Sequence, residues 1–203
     1  DIADLDLAFK EEAEALGLNL FRVEQAGYCY FVFGGLYTVP GMERDEAWDP
    51  TLAWIDTANP ERALKVRKAM TLAIDNQAII DKVLLGEGKL HTTVGDYWPG
   101  TPWTDPAWKP RPYDPDTAKK LLEEAGYPDG EGLQTLKMLV YSRFGLSATD
   151  IIAEAVAQYW RNIGFKVELV PIEFPTLLKH LIDRSSSGYA YPFAQSVGDE
   201  PVH

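Results

Sequence analysis

The sequence predicts an α/β fold in which a mixed β-sheet is flanked by helices. Stretches with apolar residues at helical spacing alternate along the 203-residue chain with short apolar runs typical of strands. Several helical stripes end at a glycine, and two predicted helices begin with a capping residue followed by proline. This alternation indicates an α/β protein, and a mixed sheet is favoured over a purely parallel one.

The first part of the chain is predicted to hold a short helix between strands. Residues 1–4 are expected to form an edge or crossing strand, and residues 18–23 alternate side chains as a strand does. The helix between them ends at Gly17. Its apolar stripe consists of Phe9, Ala13 and Leu16. Residues 28–33 are continuously apolar and aromatic, which predicts a strand buried on both faces.

Residues 36–59 have no clear periodicity and are predicted to form a long loop, inserted into the domain. The pairs Pro40-Gly41 and Asp49-Pro50 are typical of turns. One helical turn is expected at residues 51–55. Loops of this length inside a compact domain are usually functional or mobile.

Three helices are predicted in the middle of the chain. Asn59 caps the first, Asp75 caps the second over residues 77–85, and Asp114 caps the third. Their inner faces are Val66, Met70, Ala73 and Ile74 in the first helix, and Ala118, Leu121, Leu122 and Ala125 in the third. Between the second and third helices, residues 90–109 are irregular and contain three tryptophans.

The last third of the chain is predicted to alternate strands with helices. The strands are residues 136–141, 165–172 and 189–194. A long helix capped by Ser147 or Thr149 follows the first of them, and a short helix at residues 175–182 follows the second.

The composition excludes several classes of partner. Nineteen basic and 31 acidic residues give a net charge of −12, which repels nucleic-acid phosphates and anionic lipid headgroups. No run of 18 apolar residues exists, and the first residues lack the basic and apolar regions of a signal peptide. A small solute or a protein remains as partner, and any export signal is expected to lie outside this sequence.

Motifs for catalysis or for metal and cofactor binding are not recognisable. The three histidines, His91, His180 and His203, lack metal-ligand spacing. The glycines of residues 86–89 end a helix, whereas a phosphate-binding loop opens one. Carboxylates are abundant, so a pair like that of a glycosidase can be drawn, but no spacing in the sequence selects which two residues would form it. The sequence therefore predicts a protein that is not an enzyme and needs no cofactor or metal.

Aromatic residues on irregular or terminal backbone are the candidates for ligand contact. Trp98 and Trp103 lie in the tryptophan-rich stretch, and Tyr189 and Tyr191 lie in the aromatic tail. Flat rings offer a large contact area at low entropic cost. The alternative is that these rings cover helix ends as a small satellite core.

Five segments, in the same order along the chain, resemble a known family. They are residues 66–80 (VRKAMTLAIDNQAII), 83–88 (VLLGEG), 99–103 (PGTPW), 113–130 (YDPDTAKKLLEEAGYPDG) and 160–169 (WRNIGFKVEL). Together they resemble extracellular solute-binding proteins of family 5, the peptide-, dipeptide- and nickel-binding components of ABC importers.

The resemblance implies a periplasmic-binding-protein type II-like lobe. Family members are two-lobed clamps much longer than 203 residues, so residues 1–203 are expected to form the distal lobe. The solute would be captured between the lobes and passed to ABC permease subunits. The whole protein is expected to be monomeric and extracellular or periplasmic, with anchoring as a lipoprotein as an alternative to a free periplasmic form.

The favoured ligand is an oligopeptide. Peptide-binding members carry an aspartate that holds the peptide amino group, and Asp199 is its counterpart in a tail that lacks the family's tryptophan. An oligosaccharide and a nickel chelate remain alternatives. From other classes, a hydrolase with a carboxylate pair and a receptor module that contacts a protein also remain.

Overall fold

The computed structural model describes residues 5, 9–21, 27–35, 46–92, 105, 107–142 and 148–196. The elements in these ranges are α1 (Lys10–Ala15), β1 (Gly27–Phe33), α2 (Pro60–Leu72), α3 (Asn76–Lys82), α4 (Pro115–Glu124), a 3₁₀ turn (Pro128–Gly130), β2 (Leu136–Val140), α5 (Thr149–Asn162), β3 (Val167–Pro171), α6 (Phe174–Ile182) and β4 (Tyr189–Ser196). The prediction of alternating strands and helices in the last third of the chain is confirmed.

The four strands form one mixed sheet in the order β1-β4-β2-β3. β2 runs parallel to both β3 and β4, whereas β1 runs antiparallel to β4. The predicted α/β fold with a mixed sheet flanked by helices is therefore confirmed. β1 lies at one end of the described sheet, with Cys29 exposed and residues 30–33 partly buried. The prediction of a strand buried on both faces is wrong, because an end strand is only partly covered by its neighbours.

The main hydrophobic core lies between one face of the sheet and helices α2, α4 and α5. Trp160 of α5 is buried at its centre and packs against the rings of Phe31 and Phe33, with ring centroids 5.6 and 5.9 Å away. Its indole Nε1 donates a hydrogen bond to the Met70 carbonyl over 2.9 Å. Trp160 therefore joins α5, β1 and the C-terminal part of α2 in one packed unit.

The second half of the predicted loop belongs to this core. The amide of Asp56 donates to the carbonyl of Leu52 over 2.8 Å, so the helical turn expected there is confirmed. Trp54 is fully buried, and its carbonyl accepts a 2.6 Å hydrogen bond from Arg67. Burial lowers the pKa of the Arg67 guanidinium from its ordinary value. Residues 36–45 lie outside the described part of the chain, and the insertion of 36–59 stays a prediction.

The start of α2 has the predicted residue at its N-cap but not the predicted side-chain bond. Asn59 occupies the N-cap position, which is confirmed, but its side chain accepts no hydrogen bond from the helix. The buried carboxylate of Asp56 accepts the amide of Asn59 over 3.1 Å and pairs with Arg62 over 2.6 Å. Asp56, three residues before the N-cap, therefore folds back over the helix start.

At the other helix starts, the predicted caps of α3 and α4 are confirmed, whereas the predicted cap of α5 is not. Asp75 and Asp114 cap α3 and α4, each through a 2.9 Å bond to the amide three residues later. The prediction that Ser147 or Thr149 caps α5 fails for Thr149, which is the first helical residue. Ala148 is the N-cap, and Ser147 lies outside the described residues. The Thr149 hydroxyl donates backward to the Tyr141 carbonyl over 2.7 Å, so it serves the preceding strand instead.

The N-terminal predictions are confirmed only in part. α1 forms and ends at Gly17, whose φ of +71° suits glycine. Within its predicted stripe Ala13 is buried, whereas Phe9 and Leu16 are exposed. Residues 18–21 are not a strand, so that part of the prediction is wrong, and residues 1–4 and 22–23 lie outside the described residues. An alternating pattern alone does not form a strand without a neighbouring strand to pair with.

None of the helices in the described ranges combines the length and the apolar character that crossing a bilayer requires.

Candidate functional site

The three parallel strands create a topological switch point between β2 and β4. The chain runs from β2 through α5 to β3 on one side, and then through α6 back across to β4 on the other side. The two helices pack on opposite faces, since α5 belongs to the main core and Leu177 of α6 to a second cluster with Leu139 and Tyr191. In open α/β sheets, ligands bind outside the carboxyl ends of the strands at such a point.

At this point the two strands lose their backbone pairing. The register joins Lys137 to Tyr189 and Met138 to Ala190, and it extends no further along β2 and β4. Two residues later β4 carries Pro192, which has no N–H to donate. The buried hydroxyl of Tyr141, directly after β2, donates to the Pro192 carbonyl over 2.9 Å. A side chain thus bridges the strands where the backbone ladder has ended.

Two helices begin at the same edge of the sheet. α5 starts shortly after β2, and α6 starts shortly after β3. The side chains of the two N-cap residues, Ala148 and Glu173, make no capping hydrogen bond, while the amide of Ile151 donates to the Asp150 carboxylate over 2.8 Å. Acidic groups flank both starts, with Asp150 in the first turn of α5 and Glu173 at the N-cap of α6. These carboxylates are hydrogen-bond acceptors, which suit a solute with an ammonium group or other polar donors.

The two tyrosines that are predicted to contact the ligand, Tyr189 and Tyr191, do not lie at the end of β4. Tyr191 is 3% exposed and packs among Leu139, Tyr141 and Leu177. Tyr189 is partly buried beside His180, with ring centroids 6.0 Å apart. It begins β4, whereas the chain leaves the switch-point edge after Ser196, about 23 Å away along an extended strand.

The other predicted site residues, Asp199, Trp98 and Trp103, lie outside the described residues. Asp199 follows the last residue of β4 by three positions. The sequence analysis did not single out Tyr141 or Pro192 as residues of the switch point, and it considered Thr149 only as a helix cap. Pro192, inside an otherwise apolar strand, was the available signal, because proline in a paired strand marks a place where the ladder is interrupted.

The surface also carries two open depressions, both on the outer side of α2 and α4. One, of about 480 Å³, is lined by residues 58–62, Lys65 and Glu124. The other, of about 530 Å³, is lined by charged residues of α4 together with Pro128 and Asp129. In the first, Arg62 and Lys65 already pair with Asp56 and Glu124. These depressions are solvated charged surfaces on the helix layer, away from the switch point.

Within the described ranges, no group of three or more histidine, cysteine, aspartate or glutamate side chains is arranged to hold a metal ion.

An open α/β sheet with a switch point at the carboxyl ends of its strands defines a class of proteins that bind small molecules at that edge. Residues 14–197 match the family described as bacterial extracellular solute-binding proteins, family 5 Middle. The chain therefore belongs to this family.

Curated relatives and solved structures agree with this assignment. Di/tripeptide-binding protein 1 of Pseudomonas aeruginosa (strain UCBPP-PA14) is 34% identical over 129 residues, covering 63% of this chain and 23% of the relative. Heme-binding protein A of Haemophilus influenzae is 32% identical over 187 residues, covering 86% and 33%. NikZ from Campylobacter jejuni, solved in complex with Ni(L-His), has the same fold with a TM-score of 0.67 at 17% identity, covering 97% and 35%. The chain thus spans about a quarter to a third of the length of these proteins.

Proposed function

We propose that this chain is the distal lobe of a two-lobed solute-binding protein that captures an oligopeptide for an ABC importer. The observation that carries the proposal is the switch point between β2 and β4, in a chain of the family 5 type. The carboxylates of Asp150 and Glu173 flank the helix starts at this edge, and they suit the ammonium end and the amide N–H groups of a peptide.

The choice of ligand rests on chemistry at the end of β4. Asp199 follows the last residue of that strand by three positions in the sequence, and we infer that it contributes a carboxylate to the site. A carboxylate there would accept hydrogen bonds from the ammonium group of a peptide. The relatives named for di- and tripeptides support this ligand, whereas those named for haem and found with nickel–histidine keep other solutes open as test outcomes.

Capture needs no catalysis. The matched relatives are solute-binding proteins, so the carboxylate-pair hydrolase is not proposed further. In the proposed role the second lobe closes over the solute by a hinge motion, and the loaded protein then docks on ABC permease subunits. The protein would act outside the cytoplasmic membrane, in the periplasm or as an anchored lipoprotein, and as a monomer.

Replacing Asp199 tests the proposal in the protein that contains both lobes. Asp199→Ala should weaken the binding of a dipeptide such as Met-Leu at least tenfold, or about 1.4 kcal/mol, because the ammonium group loses its carboxylate partner. Isothermal titration calorimetry measures the affinity. Asp116→Ala, which removes an exposed carboxylate from the outer face of α4, is the matched control and should bind like the parent.

The same titration with Ni(II)–L-histidine, haem and a small oligosaccharide separates the alternatives. Tight binding of one of these probes, with no response to any di- or tripeptide, would replace the peptide by that solute. Unchanged dipeptide affinity in Asp199→Ala, with a native circular dichroism spectrum, would remove Asp199 from the site.

A further inference from the structure

We propose that Tyr141 is a positioning residue, which sets the separation of β2 and β4 at the switch point and thereby the shape of the solute site. This inference rests on the proposed function, since it concerns the same edge of the sheet. Tyr141 is itself 3% exposed, so its effect on a solute is transmitted through the elements that it holds.

The hydroxyl of Tyr141 replaces a missing backbone contact. Backbone pairing of β2 with β4 ends at Met138 and Ala190, and Pro192 cannot extend it with an amide donor. The carbonyl of Pro192 is instead satisfied by the Tyr141 hydroxyl, 2.9 Å away. Because this bond runs through a side chain, it joins the two strands at a level where no backbone hydrogen bond pairs them. The carboxyl ends are therefore linked here by a side chain and do not close as a continuous ladder.

The rest of Tyr141 connects the two helices that begin at this edge. Its carbonyl accepts the hydroxyl of Thr149, the first residue of α5, over 2.7 Å. Its ring packs against Phe174, the first residue of α6, with centroids 5.4 Å apart. Tyr141, the residue directly after β2, thus contacts β4 and the first residues of both helices that begin at this edge.

The hydroxyl is the part of Tyr141 that can be removed alone. Tyr141→Phe keeps the ring, its contact with Phe174 and the main-chain carbonyl, but it leaves the buried Pro192 carbonyl without this donor. A buried carbonyl that loses its partner must find water or move. The expected response is a local shift of β4 relative to β2 without loss of the overall fold.

The experiment compares Tyr141→Phe with Tyr159→Phe in the protein that contains both lobes. Tyr159→Phe removes the same phenolic oxygen, but Tyr159 lies in the second half of α5, where its ring contacts that of Tyr113. Amide hydrogen exchange is followed by mass spectrometry in both variants, and binding of the dipeptide Met-Leu is followed by NMR titration. Thermal unfolding reports how much stability each variant loses.

In Tyr141→Phe, exchange should accelerate at least fivefold in peptides covering the end of β4 and the first turns of α5 and α6, while α2 stays at the parent rate. The dissociation constant for Met-Leu should rise at least fivefold, beyond any change seen in a Tyr159→Phe chain. If the hydroxyl has only a structural role, its removal will lower the melting temperature but leave the local exchange rates and the dissociation constant for Met-Leu unchanged. That result would overturn the inference.

Two further outcomes separate this inference from the proposed function. If the parent protein with both lobes binds none of Met-Leu, Ni(II)–L-histidine or haem, the solute site fails as proposed. Local acceleration of exchange at the switch point then supports the positioning of β4 by Tyr141, and uniform exchange overturns it. If Met-Leu binds and Tyr141→Phe changes neither its affinity nor the local exchange, the proposed function stands and the role of Tyr141 is wrong.

Discussion

At the scale of single residues, three aspartates organise the starts of helices. Asp75 and Asp114 act as ordinary N-caps, whereas Asp56 acts from three residues before the N-cap of α2. Asp56 has a φ of +26°, and aspartate tolerates this left-handed region better than most residues because its short polar side chain bonds locally. Its carboxylate is buried yet satisfied by the Asn59 amide and by Arg62. A buried charge is stable only when it is paired in this way.

The cap at Asp114 predicts a pH dependence of stability. Hydrogen bonds from the hydroxyl and the amide of Thr117 lower the pKa of Asp114 below its ordinary value. A group whose folded pKa is depressed contributes stability above its unfolded pKa, near about 4 for aspartate, and loses that contribution as the pH falls through the folded pKa. Asp114→Asn keeps a side-chain acceptor at the cap but cannot titrate.

We therefore expect the parent chain to be more stable than Asp114→Asn near neutral pH, and the difference to shrink as the pH falls through the lowered folded pKa of Asp114. Thermal unfolding of both proteins at a series of pH values from neutral to acidic measures this. Melting curves that stay parallel over the whole range would show that the charge of Asp114 adds nothing to the cap.

At the scale of elements, α4 shows how a helix is fixed by its two ends and one face. Asp114 starts it, Pro115 occupies its first turn, and the chain turns away at Gly126, which has a φ of +86°. Its inner face, with Ala118 and Leu122 buried, packs against α2 in the main core. The outer face carries lysines and glutamates that remain in solvent. The apolar stripe predicted from spacing is therefore the face that packs.

Shortening Leu122 measures the contribution of this face. Leu122 is 1% exposed, so Leu122→Ala should lower the free energy of unfolding by about 2–5 kcal/mol through lost apolar contacts and the cavity that remains. Leu64→Ala on α2 is the control, since Leu64 is 44% exposed and should change stability by less than about 0.5 kcal/mol. Chemical denaturation compares the two. Equal small effects would mean that α4 is not packed as described.

At the scale of the whole molecule, the sheet has two faces with different coverage. The main core covers one face through α2, α4 and α5, whereas the second cluster is built around α6 and a group of aromatic side chains. The carboxyl ends of the three parallel strands meet at one edge, where the proposed site lies. Because the chain spans about a quarter to a third of its relatives, the proposal places the remaining ligand contacts on a second lobe.

This arrangement predicts weak binding by the 203 residues alone. One wall of a cleft buries only part of a solute and excludes little water, so it gains little of the affinity of a closed clamp. Calorimetric titration with di- and tripeptides should give dissociation constants well above the micromolar range. A low-micromolar constant for any of these probes would show that the site is complete within this chain, and would contradict the two-lobed arrangement.

The sequence by itself determined the α/β class, most element positions and the caps at Asp75 and Asp114, because these depend on local spacing and on turn residues. It also determined the family, through five motifs that keep their order. Residues 18–21 were predicted wrongly as a strand, since strand pairing requires contacts with other parts of the chain. The sequence also did not reveal that the Asn59 side chain makes no capping bond and that the Asp56 carboxylate bonds at the start of α2 instead. The tertiary structure alone decided that β4 lies between β1 and β2, that Tyr191 is buried and that Tyr141 meets Pro192 across the switch point. These are contacts between residues up to 169 positions apart in the chain (Gly27 and Ser196), and no local pattern encodes which strands become neighbours.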